Sequence, residues 1–226
     1  MHVLLLVAGT NDPSNCDTLA DAFADGVRSA GAEAGILRLK DFPLDHFTVA
    51  HYAPGAAQEP AFRELQSRLQ AADAFAIAAP VWNFSVPAHL KNFIDRIGSF
   101  ALDATKTEGA LGGKPFYCIF TGGAPRVAWT GMMRVTTSHV PEAFKYFGAT
   151  PLGHHYEPRC VRGKGMFDLV VSERPESLEA LRAKGARFVS MVRSYRETGK
   201  LPLRTRLALL AFGFGRRIVD WLTRYE

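Results

Sequence analysis

The chain has 226 residues, of which 47% are hydrophobic and 22% are charged, and its formal net charge is +5 at pH 7. This length and composition fit one soluble α/β domain with a short appendage and exclude a fibrous or disordered chain. Residues 201–226 hold five arginines against two acidic residues, so the near-neutral remainder gives no basis for nucleic-acid binding. Every apolar run is shorter than the roughly 18 residues that a membrane-spanning helix needs.

The three cysteines, Cys16, Cys118 and Cys160, lie far apart and form no C-x-x-C pair. We therefore expect no metal site, and the low, odd number of cysteines is typical of a reducing cytoplasm. The N-terminal segment MHVLLLVAG lacks the charged region of a signal peptide and has the length of one strand. The sequence thus predicts a cytoplasmic protein.

Short apolar segments alternate with amphipathic ones along the chain. Strands are predicted in residues 2–7, 35–39, 74–80, 115–121 and 150–156. Helices are predicted near residues 15–30, 58–72, 87–97, 127–147 and 176–195. Nearly all-apolar strands that alternate with helices predict an α/β fold with a doubly wound five-stranded parallel sheet, of order 2-1-3-4-5, and helices on both faces.

Residues 1–198 are predicted to form this domain, and residues 199–226 a basic amphipathic C-terminal extension. An apolar stripe with arginines around it runs through the extension, although two glycines weaken any continuous helix. Such a segment can pack on a partner subunit or on its own domain, or it can lie on an anionic membrane surface. The sequence leaves these alternatives open.

Ligands of such sheets bind outside the carboxyl ends of the strands, beside the point where the strand order reverses. The loop after the first strand, residues 8–20, crowds hydroxyl and amide side chains onto the start of a helix. Unpaired N–H groups at a helix start favour an anion, so we interpret this loop as a phosphate cradle. The alternative is that Ser14 or Asn15 only caps the helix. Neither G-x-G-x-x-G nor G-x-x-x-x-G-K-[ST] is present, which disfavours the usual dinucleotide and nucleoside-triphosphate sites.

The loops after the third and fourth strands differ in composition from the loop after the first strand. The third strand leads into PVWNF, residues 80–84. This segment offers an aromatic wall and a polar amide to a planar ligand; the alternative is that its aromatic side chains pack in the core or at a subunit contact. The fourth strand leads into TGG, residues 121–123. Its glycines let the backbone approach a ligand; the alternative is that they only form a tight turn. Together, the three loops predict a site for flavin mononucleotide (FMN), a flat ring with a phosphate tail.

The segment PVWNFSVPAHLKNFIDRI resembles the signature P-x-[YW]-N-F-x-x-P-x-x-L-K-x-x-[IF]-D-R of flavodoxin-like NAD(P)H-dependent oxidoreductases. This family includes FMN reductases, azoreductases and NAD(P)H:quinone reductases, and the resemblance covers roughly residues 1–195. It implies a flavodoxin-like fold, with the phosphate at the first loop, the flavin ring along the signature turn and its pyrimidine edge at the loop after the fourth strand. By position, the implied cofactor-binding residues are Thr10, Ser14, Asn15, Cys16, Pro80, Val81, Trp82, Asn83, Phe84, Thr121, Gly122 and Gly123.

The chain departs from the family in two places. Many members carry an arginine in the first loop, where this sequence reads Asn11-Asp12-Pro13. Animal-type quinone reductases carry a tyrosine and a histidine shortly after the paired glycines, where this chain offers Arg126 and Trp129. A tyrosine–histidine proton relay is therefore not carried over, and no catalytic side chain is predicted.

The resemblance implies hydride transfer from NAD(P)H to flavin N5 and on to a quinone, an azo compound, free flavin or a similar acceptor, in a ping-pong order. In this hypothesis the protein supplies stacking walls and backbone donors, because the cofactor carries the chemistry. It also implies a homodimer or homotetramer. The alternatives are a flavodoxin-like electron carrier, although such carriers are short and strongly acidic, and a non-catalytic flavin-binding protein that acts in redox-regulated interactions.

Overall fold

A computed structural model describes residues 1–162 and 168–200 of the chain. Its centre is one sheet of five parallel strands in the order β2-β1-β3-β4-β5. The strands are β1 (His2–Val7), β2 (Glu33–Arg38), β3 (Ala74–Pro80), β4 (Pro115–Thr121) and β5 (Thr150–Glu157). The predicted fold class and strand order are confirmed, and the strand bounds differ from the predicted ones by at most two residues.

Helices connect the strands and cover both faces of the sheet. They are α1 (Asn15–Ser29), α2 (Pro60–Ala71), α3 (Ala88–Ala101), α4 (Arg126–Ala128), α5 (Val135–Tyr146) and α6 (Pro175–Thr198). The single helix that the sequence predicts near 127–147 is divided, because a π-helical stretch, Trp129–Met133, separates α4 from α5. Such stretches are rare and are frequently found at functional sites, and this one follows the loop after β4.

Each face of the sheet has its own apolar core. Helices α1 and α6 cover one face, where Leu19, Phe23 and Val27 are fully buried, as their spacing predicts. Helices α2, α3 and α5 cover the other. Because both faces are covered, the three central strands β1, β3 and β4 are nearly all apolar. The carboxyl edge of the sheet is where the polar loops gather.

Helices α1 and α6 cross at two glycines. A Cβ atom at Gly26 would overlap the backbone carbonyl of Arg182, and one at Gly185 would overlap the carbonyl of Phe23. The two backbones therefore approach more closely than any other residue type allows. This crossing fixes the position of α1, which begins directly after the first loop.

Helix α3 contains a buried cation beside its apolar face. The apolar face formed by Leu90, Phe93, Ile94 and Ile97 is buried, and Lys91 pairs with Asp95 on the surface at 2.7 Å. The Arg96 side chain is fully buried. Its two terminal nitrogens reach the Glu59 carboxylate at 2.7 and 2.6 Å, the Gln58 side-chain oxygen at 2.7 Å and the Asp45 carbonyl at 2.9 Å. Arg96 thus joins α3 to the long connection between β2 and α2.

Helix α6 is longer than predicted and ends at Thr198, where Gly199 takes a left-handed φ of 64° that suits a C-terminal glycine. The predicted extension, residues 199–226, lies outside the described residues from 201 onward, so its role stays a prediction. None of the helices in the described ranges combines the length and the apolar character that crossing a bilayer requires.

Candidate functional site

A cleft of about 540 Å³, which includes the open solvent at its mouth, lies at the carboxyl edge of the sheet. The loops after β1, β3, β4 and β5 form its walls. The lining residues are Gly9, Thr10, Asn11, Ser14, Asn15, Cys16, Pro80, Val81, Trp82, Thr121, Gly122, Gly123, Cys160 and Val161.

The cleft brings together all the predicted cofactor-binding residues except Asn83 and Phe84. These two form the tip of a tight turn in which Trp82 and Ser85 exchange two backbone hydrogen bonds, each 2.8 Å long. Both tip residues have positive φ, 47° and 62°, as a type I′ turn requires. The Phe84 side chain is 71% exposed. The turn therefore directs Trp82 to the cleft and Phe84 to its outside.

The first loop is closed by its own side chains. Ser14 caps α1, since its hydroxyl accepts a hydrogen bond from the Asp17 N–H at 3.3 Å. The Asn15 amide donates to the Asp168 carbonyl at 2.9 Å and accepts from the Val171 N–H at 3.0 Å. Both side chains are thus occupied within the protein. The Asp17 and Thr18 N–H groups both bond to Ser14. The donors left for an anion are the Asn15 and Cys16 N–H groups at the start of α1 and the exposed Thr10 hydroxyl.

Gly9 is required by the close packing of this loop. A Cβ atom at position 9 would lie 2.5 Å from the Ser14 hydroxyl oxygen and 3.1 Å from the Cys16 Cβ. The loop thus curls tightly around the start of α1 and turns its backbone toward the cleft. This is the arrangement in which a helix N-terminus holds a phosphate without a basic side chain.

The two cysteines in the cleft wall are protonated, unreactive thiols. The Cys16 sulfur lies 3.3 Å from the Thr121 hydroxyl oxygen. Burial raises the pKa of Cys16 to about 12, and burial likewise raises the pKa of Cys160 to about 12. Neither thiol ionises near neutral pH, so neither can act as a thiolate nucleophile.

The loop after β4 is fixed from one side by the end of β5. The Gly122 N–H donates to the Glu157 carbonyl at 3.1 Å, and the Gly122 carbonyl accepts from the Cys160 N–H at 3.0 Å. The Tyr156 hydroxyl donates to the Ala124 carbonyl at 2.9 Å. Burial raises the pKa of Tyr156 to about 12, so this hydroxyl keeps its proton and is already used. Tyr156 therefore supports the loop and does not supply a proton relay.

Trp129, in the π-helical stretch, packs behind the same loop. Its ring stacks on Tyr156 with ring centres 4.6 Å apart and planes 3° from parallel, and only 3% of Trp129 is exposed. The π-helical stretch thus places an aromatic side chain where it holds Tyr156 against the loop.

A buried polar cluster lies at the same end of β5. The Glu157 carboxylate is bonded by His155 at 3.0 Å, Arg174 at 3.1 Å and Ser177 at 3.0 Å, and the Lys184 amine lies 2.6 Å from the other ring nitrogen of His155. Burial opposes ionisation of Glu157, but the hydrogen bonds from His155, Ser177 and Arg174 outweigh it and lower its pKa. The cluster is therefore a satisfied charge network that fixes the end of β5.

Sequence reasoning missed the fourth wall, which contains Cys160 and Val161. The signal was present, because the carboxyl end of β5 lies at the same sheet edge as those of β1, β3 and β4. The role of Asn15 as a tie to residues 168 and 171 carried no such signal, since those partners lie more than 150 positions away.

The donor set of the cleft suits a phosphate-bearing flat ring. Backbone N–H groups and a hydroxyl lie at the first loop, Val81 and Trp82 supply an apolar and aromatic wall, and Gly122 and Gly123 lie opposite without side chains. An aromatic wall with a few peptide donors is what an isoalloxazine ring needs. These residues fit FMN.

A family model described as a flavodoxin-like fold matches residues 1–184, and the chain belongs to this family. The chain is 29% identical over 170 residues to an FMN-dependent NADH:quinone oxidoreductase of Ralstonia nicotianae, a match that covers 73% of this chain and 71% of the relative. It is 27% identical over 192 residues to a protein of the same description from Aromatoleum aromaticum, with coverage of 75% and 93%.

Among solved structures, the chain is similar to an NAD(P)H:quinone oxidoreductase from Methanothermobacter marburgensis. The TM-score is 0.66 at 20% sequence identity, and the match covers 83% of this chain and 95% of that one. At this identity the likeness supports the fold alone.

Proposed function

We propose that the protein is an FMN-dependent NAD(P)H:quinone oxidoreductase. The observation that carries the proposal is the cleft itself, in which an anion-binding helix start, an aromatic wall and bare peptide groups follow one another around one sheet edge. The relatives of this description, matched over most of the domain, support it. The oxidoreductase class and FMN cofactor predicted from the sequence agree with their names.

The chain's own residues have binding and positioning roles in this mechanism. Bound FMN supplies the hydride chemistry, taking two electrons from the nicotinamide and giving them to the acceptor. The first turn of α1 would hold the phosphate, and Trp82 would lie along the ring. The loop after β4 would lie at the pyrimidine edge, where the Gly123 peptide would favour the charge of the reduced ring, because the Gly122 N–H is already bonded to the Glu157 carbonyl. Since donor and acceptor would occupy the same open side of the cleft, the donor leaves before the acceptor enters, which gives a ping-pong order.

The decisive experiment is an absorbance titration of the purified protein under anaerobic conditions. We expect bound FMN to give a yellow spectrum, NADH or NADPH to bleach it, and a quinone to restore it. A protein that neither contains FMN nor binds added FMN would contradict the cofactor assignment. Bound FMN that no nicotinamide bleaches would instead favour an electron carrier or a non-catalytic flavin protein.

Replacing Trp82 tests the aromatic wall. Trp82→Ala is expected to weaken FMN binding about tenfold, because stacking and burial of an aromatic side chain contribute on the order of 1 kcal/mol or more. Fluorescence titration of the apoprotein with FMN measures the dissociation constant. Trp82→Phe retains an aromatic wall and is expected to lose far less affinity for FMN. If the alanine variant binds FMN and turns over like the wild type, Trp82 does not form the wall.

We also propose that the protein works as a homodimer, as the family resemblance implies. Large apolar side chains stand exposed on segments that follow β3 and β4. They are Phe84, Val127 and Val135, with exposures of 71%, 83% and 71%. A second subunit placed over this region would cover them and narrow the mouth of the cleft.

The electron acceptor in the proposed reaction is a small molecule.

A further inference from the structure

Two arginines stand at the outer edge of the cleft wall formed by the loops after β4 and β5. Arg126 begins α4, three residues after Gly123, and Arg159 directly precedes Cys160; both Gly123 and Cys160 line the cleft. The Arg159 N–H donates to the Ala124 carbonyl at 3.3 Å, which joins the two loops. We call Arg126 and Arg159 the rim arginines. Both are exposed.

Arg159 is held in a backbone conformation that residues with a Cβ atom avoid. Its φ is 53°, in the left-handed region, which costs roughly 1–2 kcal/mol for such a residue. Its N–H is bound to Ala124, and its carbonyl accepts a hydrogen bond from Arg174 at 2.9 Å. Arg174 is in turn anchored on the buried Glu157 carboxylate. Strain maintained by a dedicated network in this way is a feature of functional positions.

The charge of the rim arginines is not balanced within the described part of the chain. Over residues 1–162 and 168–200, neither forms an ion pair, whereas the nearby Arg162 and Arg174 both do. The pKa of His154 is lowered to about 4, mainly by burial and next by the neighbouring charges of Arg134 and Lys184. This edge of the cleft is therefore electropositive and suited to an anionic ligand.

We propose that the rim arginines bind the pyrophosphate of the reduced nicotinamide dinucleotide while its nicotinamide ring occupies the cleft. The inference rests on the proposed function. The first loop is reserved for the cofactor phosphate, so the dinucleotide phosphates must lie outside the cleft. Guanidinium groups match phosphate oxygens in a bidentate geometry, and at this rim they have no competing carboxylate among the described residues.

The test compares hydride donors with and without phosphates. The variants Arg126→Gln, Arg159→Asn and their combination remove the charges, and asparagine tolerates the left-handed backbone at position 159. The holoenzyme is assayed with NADH, NADPH and 1-benzyl-1,4-dihydronicotinamide, which carries no phosphate. For the double variant we expect KM to rise about tenfold for both dinucleotides, with kcat nearly unchanged. For the double variant, KM for the benzyl compound should stay within about twofold of the wild-type value.

A binding measurement gives a readout independent of turnover. Calorimetric titration with ADP-ribose, which carries the pyrophosphate but no nicotinamide, should show binding to the wild type and about tenfold weaker binding to the double variant. Arg68→Ala serves as the matched control. It removes an exposed arginine near the end of α2, the helix that leads into the start of β3, and thus at the opposite sheet edge. We expect this control to match the wild type in both measurements.

Several outcomes would overturn the inference. Unchanged KM values for the dinucleotides would do so, and so would an equal rise for the benzyl compound, which would indicate damage to the ring site. A rise confined to KM for an anionic acceptor would assign the arginines to the acceptor. An effect confined to NADPH would assign them to the 2′-phosphate. If the wild-type holoenzyme is not reduced even by the benzyl compound, the proposed function itself fails.

Discussion

Replacing Arg96 by methionine is expected to destabilise the protein by about 4 kcal/mol, since removing one partner of a buried ion pair strands the other. The Glu59 carboxylate, the Gln58 side chain and the Asp45 carbonyl would all lose the hydrogen bonds that Arg96 donates, and Glu59 would keep the one from the Asp45 N–H. The Arg96 guanidinium also lies 4.5 Å from the centre of the Phe62 ring. A loss of this size is a large part of the 5–15 kcal/mol that stabilises a typical domain. Urea unfolding monitored by circular dichroism measures it.

Two controls separate the buried pair from charge effects in general. Lys91→Ala breaks the exposed Lys91–Asp95 pair on the same helix and should cost less than about 1 kcal/mol. Adding Glu59→Leu to Arg96→Met removes the stranded carboxylate and should recover part of the loss. If Arg96→Met unfolds at the same urea concentration as Lys91→Ala, the pair is not a major source of stability.

The same pair predicts a pH dependence. The hydrogen bond from Arg96 lowers the pKa of Glu59 to about 2 in the folded protein. Because the folded-state pKa lies below the unfolded one, the pair stabilises the protein above the usual carboxyl range, and this stabilisation is lost as the pH falls toward 2. The unfolding free energy of Arg96→Met should therefore vary less than that of the wild type between about pH 5 and pH 2.

Gly185→Ala is the second substitution with a large expected effect. The new methyl group would overlap the carbonyl of Phe23 and press α6 away from α1, because backbone cannot yield as a flexible side chain can. Overpacking of this kind costs about 3 kcal/mol at its upper range. Thermal unfolding of the variant should show a clearly lowered midpoint.

Gly131→Ala is the matched control for that substitution. A Cβ atom at Gly131 meets no atom within 4 Å, and its backbone is not left-handed. The variant should be as stable as the wild type or slightly more stable, since alanine loses less conformational entropy than glycine on folding. Equal stability of Gly185→Ala and Gly131→Ala would show that the α1–α6 crossing can relax at little cost.

The sheet and three of the four cleft walls could be predicted because they follow from local patterns. Apolar runs of strand length, separated by helical periodicity, define a parallel sheet, and topology then places the ends of β1, β3 and β4 together. Residues such as Thr10, Trp82 and Gly122 needed only their positions after these strands to be singled out. The same rule applied to β5 would have added Cys160.

Other features could not be predicted, because they depend on tertiary contacts. Arg96 is a charged residue that a helical pattern assigns to the surface, and its partner Glu59 lies 37 positions away. The π-helical stretch has no compositional signal. The separation of Trp82 from Phe84 depends on a two-residue turn whose second position normally favours glycine, which the sequence alone does not reveal.

The tie between Asn15 and residues 160, 168 and 171 bears on the order of events during biosynthesis. The first loop leaves the ribosome early, yet its bonds to Cys160, Asp168 and Val171 form only after the last strand has been made. A nascent chain therefore cannot complete the contacts of its first loop until nearly the whole domain has emerged. Under the proposed function, cofactor loading would then be a late step that reports on completed folding.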